Sequence, residues 1–258
     1  MLQERQVDAG DSPEIVVRSM VLRFRDGACI EDHAHSWGQL IYATTGVMTV
    51  RTNEEVWVAP SRRAIWAPAG VSHSIEMSGR VEMRTVYLHD RLAERAPRER
   101  RVIAVSPLLR ELIVRVTKLG MLRSTVATEM RLASVLADEL VETGAAPLEL
   151  RMPVDPRARR VAERVCESPG DALDLEALAL GSGASVRTIE RAFRREVGTT
   201  FGRWRQQVRL LEALRRLAAG EPVGAVAMDV GYESTSAFIA MFKKALGTTP
   251  RRYYDDAD

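Results

Sequence analysis

Residues 185–204 read SVRTIERAFRREVGTTFGRW, and residues 234–253 read STSAFIAMFKKALGTTPRRY. At a fixed offset of 49 residues the following positions coincide: Ser185 with Ser234, Phe193 with Phe242, and Gly198 with Gly247. Each copy begins with a serine suited to cap a helix and continues with apolar residues at helical spacing. Each then ends in a basic pair and a glycine, which are typical of a helix C-terminus. So many matches in one register indicate a duplicated structural unit.

Each copy predicts a helix-turn-helix unit. The first copy predicts a short helix at 174–180, a turn containing glycine, and a second helix at 185–197. The second copy predicts the same arrangement over residues 222–246. A helix that follows such a turn is the element that enters the major groove of DNA.

The charge around the first copy supports this interpretation. Residues 184–209 contain seven arginines and two glutamates, although the net charge of the whole chain is only +2. A local excess of positive charge is what binding to the phosphate backbone requires. The alternative is a solvated basic face on an ordinary helical bundle, and the duplication favours DNA binding over it.

The C-terminal part of the sequence, from about Asp155 to Tyr254, resembles the DNA-binding domain of the AraC/XylS family of transcription regulators. The resemblance is carried by SVRTIERAFRREVG at 185–198, VGYESTSAFIAMFKK at 230–244 and GTTPRRY at 247–253. It implies seven helices, two helix-turn-helix units and one long helix, at about 200–219, that joins them.

The first unit offers charged side chains for contact with base edges. Its candidates for reading bases are Arg187, Thr188, Glu190 and Arg191. Arg187 and Arg191 are four residues apart and share one helix face, and arginine forks onto guanine O6 and N7. Glu190 either accepts a hydrogen bond from a cytosine amino group or pairs with Arg194.

The second unit differs, because its outward face has no charge before Lys243. Its candidates for reading bases are Thr235, Ser236, Ile239 and Ala240. The family often has a basic residue at the position of Ala240. Two alternatives follow: the unit contacts thymine methyl groups, or it mainly holds phosphates. We expect the first unit to dominate specificity. Phosphate contacts are predicted for the basic residues Arg194, Arg195, Arg203, Arg205, Lys243, Lys244, Arg251 and Arg252.

The N-terminal part has a different character, with short β-rich segments separated by Gly, Pro, Asn or Asp. Residues 1–13 are expected to form a loose arm. Strands are predicted at 15–24, 39–43, 47–52, 56–58, 64–67, 72–77 and 82–88. This spacing predicts a small antiparallel barrel or jelly roll, so the chain as a whole is expected to be α+β.

Two motifs within the strands resemble the paired motifs of the cupin superfamily. Gln39 stands where that family has Glu, Arg62 replaces the Gly that opens the second motif, and Met77 stands where Asn is common. The resemblance implies the barrel fold, whereas these departures leave the metal chemistry open. The motifs are Gly27-x5-His33-x-His35-x3-Gln39-x6-Gly46 and Pro68-x-Gly70-x2-His73.

The same residues form a candidate metal site. His33 and His35 are two apart on an expected strand, so both side chains would point to one face. If that face is the barrel interior, His73 from another strand completes a set of three imidazoles, and Gln39 adds a neutral oxygen. Such a set suits Zn²⁺ or Ni²⁺. The alternative is a polar cavity for a small organic effector, with the histidines as its hydrogen-bonding lining.

The middle of the chain is predicted to connect the two parts. Residues 90–104 are charged and are expected to form a solvated linker. Helices at 107–119 and 125–142 follow, and the apolar stripe of the second packs on the barrel or on another subunit. The family resemblance favours dimerisation through this region. Residues 144–153 form the expected hinge.

The predicted organisation is therefore a cupin-like sensor domain at 1–90, a helical linker and dimerisation region at 91–153, and a double helix-turn-helix domain at 154–258. Cys29 and Cys166 are too few and too far apart for a disulfide framework, which suits a reducing cytosol. No stretch approaches the length of a membrane span and the polar N-terminus has no signal core, so a cytoplasmic protein without a membrane partner is expected.

These features predict a homodimeric transcription regulator that binds double-stranded promoter DNA and is not an enzyme. A metal ion or small molecule in the barrel would bias the arrangement of the DNA-binding halves and change promoter occupancy. The alternative is a cupin-type metalloenzyme, an oxygenase or isomerase with a helical appendage. It is less favoured because the sequence shows no evident general acid or base beside the histidines.

Overall fold

The computed structural model describes residues 13–52, 55–61, 63–94, 96–142 and 148–255. They form two compact units, which we call the sheet-rich unit (described residues of 13–52 and 57–149) and the helical unit (55–56 and 150–255). The α+β prediction is confirmed. Residues 1–12 of the predicted arm, Arg62 of the second cupin-like motif and residues 144–147 of the predicted hinge lie outside the described residues.

The described strands form one antiparallel sheet that runs in the order β7-β5-β3-β6-β1-β8, while β2 pairs with β6 and β4 pairs with β3 and β9. A sheet-rich N-terminal part is confirmed, whereas the closed cupin-like barrel stays a prediction. The strands are β1 (Ile15–Phe24), β2 (Cys29–His33), β3 (Gly38–Arg51), β4 (Glu55–Pro60), β5 (Arg63–Ala67), β6 (His73–Leu88), β7 (Arg101–Ala104), β8 (Met121–Arg123) and β9 (Glu149–Arg151).

Two long strands, β3 and β6, form the centre of the sheet. The sequence predicted four shorter strands here, because Gly46 and Gly79 read as breaks. Instead both glycines lie inside the strands with positive φ, and the β3–β6 register shifts at Ala43/Thr45 and Thr45/Val47. Such irregularities bend a strand without ending it. An added Cβ at Gly46 would lie 2.6 Å from the Arg80 carbonyl oxygen, so the strands meet closely there.

The charged segment 90–104 is structured, and its interpretation as a solvated linker is wrong. It forms the short helix α1 (Asp90–Ala93) and strand β7, whose residues pair with β5. Val102 and Ile103 are buried, and the Trp66 indole N–H donates to the Pro97 carbonyl at 2.7 Å. The arginines that suggested a linker flank an apolar strand, and cross-strand pairing of that strand outweighs the local charge.

The next two helices, α2 (Pro107–Leu119) and α3 (Ala127–Glu142), pack on the sheet within the same unit. Ser106 caps α2 by accepting a hydrogen bond from the Leu109 N–H at 3.0 Å. Buried side chains of both helices share one core with residues of β1, β3 and β6. The structure therefore divides the chain differently from the predicted boundary at residue 90, because the sheet and the helices bury one another.

The helical unit consists of seven helices in the described residues, as the family resemblance implied. No described helix combines the length and the hydropathy that crossing a membrane requires. The helices are α4 (Pro156–Glu167), α5 (Leu175–Gly181), α6 (Val186–Ala192, continued by the π-helical turn Phe193–Val197), α7 (Phe201–Ala218), α8 (Val223–Asp229), α9 (Thr235–Leu246) and α10 (Pro250–Asp255).

The duplication extends from the sequence into the caps and the packing. Ser185 and Ser234 each accept a hydrogen bond at 3.2 Å from the backbone N–H three residues later. The equivalent glycines that end these helices both have positive φ, 78° at Gly198 and 80° at Gly247. Equivalent aromatic pairs also form, with ring centroids 5.1 Å apart for Phe193–Trp204 and 5.7 Å apart for Phe242–Tyr253. We call α5 with α6 the first unit and α8 with α9 the second unit.

Candidate DNA-binding surface and effector site

Helix α6 presents the predicted base readers of the first unit. Ile189 and Phe193 are fully buried, which turns the opposite face of the helix outward. Arg187 and Arg191 are exposed, and neither makes a side-chain hydrogen bond or ion pair within the described part of the chain. These guanidinium groups are therefore available to an external acceptor. With Glu190, Arg194 and Arg195 they border one open depression of the surface.

Other polar side chains of α6 already have partners. The Glu190 carboxylate lies 3.7 Å from the Arg194 guanidinium, an i,i+4 ion pair that was one of the two alternatives for Glu190. The hydroxyl groups of Thr188 and Ser185 lie 3.0 Å apart, within hydrogen-bond distance. Among the predicted base readers of α6, these contacts leave Arg187 and Arg191 with unused hydrogen-bond donors.

Helix α9 presents a small and uncharged surface at the equivalent positions. Ser236 and Ala240 are exposed, whereas Thr235 and Ile239 are half-buried. Lys243 and Lys244 are exposed in the last turn, and no described residue forms an ion pair with either. The charge of this helix is therefore confined to the end that phosphates would contact.

The remaining predicted phosphate contacts differ in availability. Arg203, Arg251 and Arg252 are exposed. Arg195 forms an ion pair with Glu196 at 2.6 Å. Arg205 instead donates to the backbone carbonyls of Asp171 and Leu173, the latter at 2.6 Å, and burial lowers the pKa of its guanidinium. These bonds show Arg205 holding the loop that precedes α5.

Two side chains of the helical unit have structural roles that the sequence did not predict. The Glu196 carboxylate accepts hydrogen bonds from the backbone N–H groups of Val154, at 2.8 Å, and Asp155, at 2.9 Å. It thereby fixes the end of the recognition helix to the start of α4. Arg209 donates to the Pro169 carbonyl at 3.0 Å and lies over the Tyr232 ring. The sequence around Glu196 and Arg209 did not indicate these contacts, because their partners lie far away along the chain.

The three predicted histidines converge in the sheet-rich unit. His33 ends β2 and lies directly opposite His73, the first residue of β6. His35 lies just beyond β2, so the predicted strand parity does not position it. The ring centroids are nevertheless 4.8 Å apart for His33–His35 and 4.6 Å apart for His33–His73. The potential ligand atoms of all three lie within 4.8 Å of one another.

Two of the rings contact the backbone carbonyl two residues earlier in the chain. His33 Nδ1 lies 2.7 Å from the Glu31 carbonyl oxygen, and His73 Nδ1 lies 2.9 Å from the Val71 carbonyl oxygen. Since a carbonyl oxygen only accepts hydrogen bonds, both Nδ1 atoms must carry the proton. The neutral rings therefore have their lone pairs on Nε2. This arrangement fixes the tautomer and orientation of metal-binding histidines in many proteins.

Burial favours the neutral, ligating form of His73. His73 is 1% exposed and His35 is 6% exposed. Burial lowers the pKa of His73 below its usual value, although the Val71 carbonyl acts in the opposite direction. His73 Nε2 is buried and has no hydrogen-bond partner among the described residues. An unpartnered buried imidazole nitrogen fits a metal ion or a ligand that donates a hydrogen bond.

Gln39 lies in the same unit as the histidines, and its side-chain amide already has hydrogen-bond partners within the protein. Its Nε2 donates to Thr85 Oγ1 at 2.9 Å and to Tyr87 Oη at 3.1 Å, and its Oε1 is buried without a partner in the described residues. The Tyr87 ring also contacts His35, with centroids 4.9 Å apart. Thr85 and Tyr87 were missed by sequence reasoning because they lie in an ordinary β pattern. The role of Gln39 as a fourth ligand stays a prediction.

Two family models match the chain. One describes an AraC-like ligand binding domain and matches residues 22–137, and the other describes a helix-turn-helix domain and matches residues 178–255. The first match includes α2 and most of α3, which agrees with the observed extent of the sheet-rich unit. A ligand-binding part and a DNA-binding part thus follow one another in the chain.

A curated relative covers both parts. The HTH-type transcriptional regulator NimR of Escherichia coli is 36% identical over 226 residues, which are 86% of this chain and 81% of NimR. The chain belongs to the AraC family of transcription regulators.

Further similarities cover either a part of this AraC-family regulator or most of it. SoxS of Salmonella typhimurium is 35% identical over 82 residues, which are 31% of this chain and 77% of SoxS. Among solved structures, ToxT from Vibrio cholerae is 9% identical, covers 94% of this chain and 100% of its own, and has a TM-score of 0.41. The two family-model matches and the similarity to NimR give this AraC-family regulator a helix-turn-helix DNA-binding domain and a ligand-binding domain.

Proposed function

We propose that this AraC-family regulator recognises its operator mainly through Arg187 and Arg191, and that ligand binding at the histidine cluster controls its occupancy of promoter DNA. The observation that carries the first part is the availability of these two exposed guanidinium groups, beside the paired Glu190 and Arg194. Two exposed arginines four residues apart on one face of a recognition helix suit guanines in the major groove.

The second part concerns the ligand of the sheet-rich unit. The convergence of three imidazoles, two of them with Nδ1 committed to a backbone carbonyl, supports a divalent ion such as Zn²⁺ or Ni²⁺. The ligating nitrogens lie within 4.8 Å of one another, so small inward shifts reach the roughly 3.4 Å separation that zinc–nitrogen bonds of about 2.1 Å require. His33, His35 and His73 would hold the ion, and Gln39 is the weaker fourth candidate.

A small organic effector is the second candidate for the same site. The unpartnered Gln39 Oε1 and the buried His73 Nε2 both accept hydrogen bonds, so they suit a ligand that carries N–H or O–H donors. The family model for an AraC-like ligand binding domain spans this region of the chain. Either ligand would act by binding one arrangement of the protein more tightly than another.

We also propose that the regulator acts as a homodimer without enzymatic activity. Helix α3 exposes Val135 and Val141, 43% and 50% accessible, on the side away from its buried residues Leu136 and Leu140. Exposed valines on one helix favour contact with a second subunit. The absence of an enzymatic role is supported by NimR, which matches most of the chain and is described as a transcriptional regulator.

The test of the ligand uses full-length protein purified without chelators. Metal content is measured, and then the melting temperature and the affinity for DNA flanking the protein's own coding region are measured with and without added Zn²⁺ or Ni²⁺. We expect bound metal, a raised melting temperature and altered operator affinity. A metal-free protein that responds to neither ion in either measurement would exclude the metal, and would leave the organic effector as the ligand of this site.

A further inference from the structure

The two recognition helices occupy equivalent structural contexts but carry opposite chemistry. Both begin at a serine cap, and both end at a glycine with positive φ. At the 49-residue offset, the exposed Arg187 and Arg191 of α6 correspond to the exposed Ser236 and Ala240 of α9. At these two positions a long cationic side chain of the first unit is replaced by a short neutral one, whereas the basic pair at the helix end is kept.

Small side chains also change how closely a helix approaches the bases. Ala237 and Ala240 are exposed one turn apart and Ile239 is half-buried, so α9 offers an apolar strip, formed mainly by the two alanines, near its N-terminus. The Ser234 hydroxyl is already used by the Ala237 N–H, which leaves Thr235 and Ser236 as the hydroxyl groups in this turn. A strip of methyl groups fits closely against the groove floor, where a thymine carries its C5-methyl group.

The same strip disfavours guanine and cytosine. Cytosine has only a hydrogen at C5 and guanine presents its N7 and O6 acceptors, so neither base offers a methyl group to this strip. A polar atom that is dehydrated against an alanine methyl group loses its water without gaining a partner, which is costly. Lys243 and Lys244, exposed in the last turn of the same helix, supply contacts to the phosphate backbone without base preference.

We propose that the second unit is a thymine-reading module, in which Ala237, Ile239 and Ala240 contact C5-methyl groups. Each operator site would then have two unlike segments, one with guanines under α6 and one rich in thymine under α9. This inference rests on the proposed docking of both recognition helices in the major groove. It assigns the second unit a sequence preference of its own, beyond the holding of phosphates.

The experiment begins by selecting binding sites from random duplex DNA with the full-length protein. In the selected site, each thymine is then replaced by deoxyuridine, which removes only the C5-methyl group. We expect a loss of about fourfold in affinity for each contacted methyl group of the second segment, the equivalent of one buried methyl group. The same replacement in the guanine-containing segment is the matched control and should leave the affinity unchanged.

A substitution provides an independent arm. Ala240→Arg restores the residue type of the equivalent Arg191, so the preferred base in the second segment should shift from thymine to guanine. Unchanged affinity after every thymine replacement in the second segment would overturn the inference, as would the absence of any base preference there. Failure to select any DNA site would instead contradict the proposed docking itself, so the two failures are distinguishable.

Discussion

Arg191 is exposed in the last turn of α6 and Lys243 is exposed in the last turn of α9, and neither has an ionic partner in the described residues. Arg191→Ala should cost about 1–3 kcal/mol on the selected operator and relax the preference at one base pair. Lys243→Ala should weaken all sequences alike and reduce the salt slope by about one. Affinities on operator and random DNA at several salt concentrations measure both effects. Equal losses on the two DNAs for Arg191→Ala would identify a phosphate contact.

Glu196 joins two elements through its carboxylate. Hydrogen bonds from the Asp155 N–H, the Arg195 guanidinium and the Val154 N–H lower its pKa, against the effect of burial. Because the pKa in the folded state lies below the ordinary carboxyl value of about 4.3, its stabilisation is present above that pH. The stabilisation is then lost as the pH falls through the lowered value.

Glu196→Ala should therefore lower the melting temperature at pH 7, at a cost of about 1–3 kcal/mol for the unsatisfied backbone donors. The difference from the natural protein should shrink as the pH is lowered toward 3. Glu163→Ala is the control, because Glu163 forms only an exposed ion pair with Arg159, and such pairs contribute little. If Glu196→Ala lowers the melting temperature by the same amount at both pH values, the charge of the Glu196 carboxylate is not involved.

Helix α7 connects the two recognition units and sets their separation. Its 18 residues span about 27 Å, which is near the ~34 Å between successive major-groove faces. One subunit should therefore protect two groove segments about one helical turn apart in hydroxyl-radical footprinting. The double variant Lys243→Ala with Lys244→Ala should lose protection at the second segment alone. A single protected groove per subunit in the natural protein would remove the second unit from DNA recognition.

Helices of the DNA-binding half were predictable, whereas the long strands were not. Asp155, Asp174 and Ser234 act as N-caps as expected, because capping depends on residues three positions apart. The continuity of β3 and β6 depends instead on pairing between distant residues, which tolerates an internal glycine when its partner strand bends with it. Helix caps can therefore be predicted from the local sequence, whereas the pairing of distant strand residues cannot.

The sheet-rich unit shows the same difference for the candidate ligand site. The motif spacing identified His33, His35 and His73 as one candidate site, and the structure brings their rings together in space. The spacing gave no indication of Thr85 and Tyr87, the partners of the Gln39 amide, because that contact depends on strand register. The extent of the unit to residue 149 also depends on how α2 and α3 pack.

The division into two units predicts separable effects of substitution. His35→Ala should abolish metal binding and the response of operator affinity to metal, while leaving the basal affinity within about twofold, since RT ln 2 is about 0.4 kcal/mol. His89→Ala, which alters a histidine outside the cluster, is the matched control. Metal content and operator affinity are measured on the same preparations. Loss of basal DNA binding in His35→Ala would show that the cluster is needed for folding rather than for regulation.

The single helix α7 between two unlike recognition elements makes promoter spacing as important as promoter sequence. B-DNA turns once in about 10.5 base pairs, so five inserted pairs between the segments would carry the second onto the opposite side of the duplex. A base substitution removes one contact, whereas such an insertion removes all contacts between the second unit and its DNA segment. During evolution, promoters under this regulator should therefore accumulate point changes while resisting insertions and deletions between the two segments.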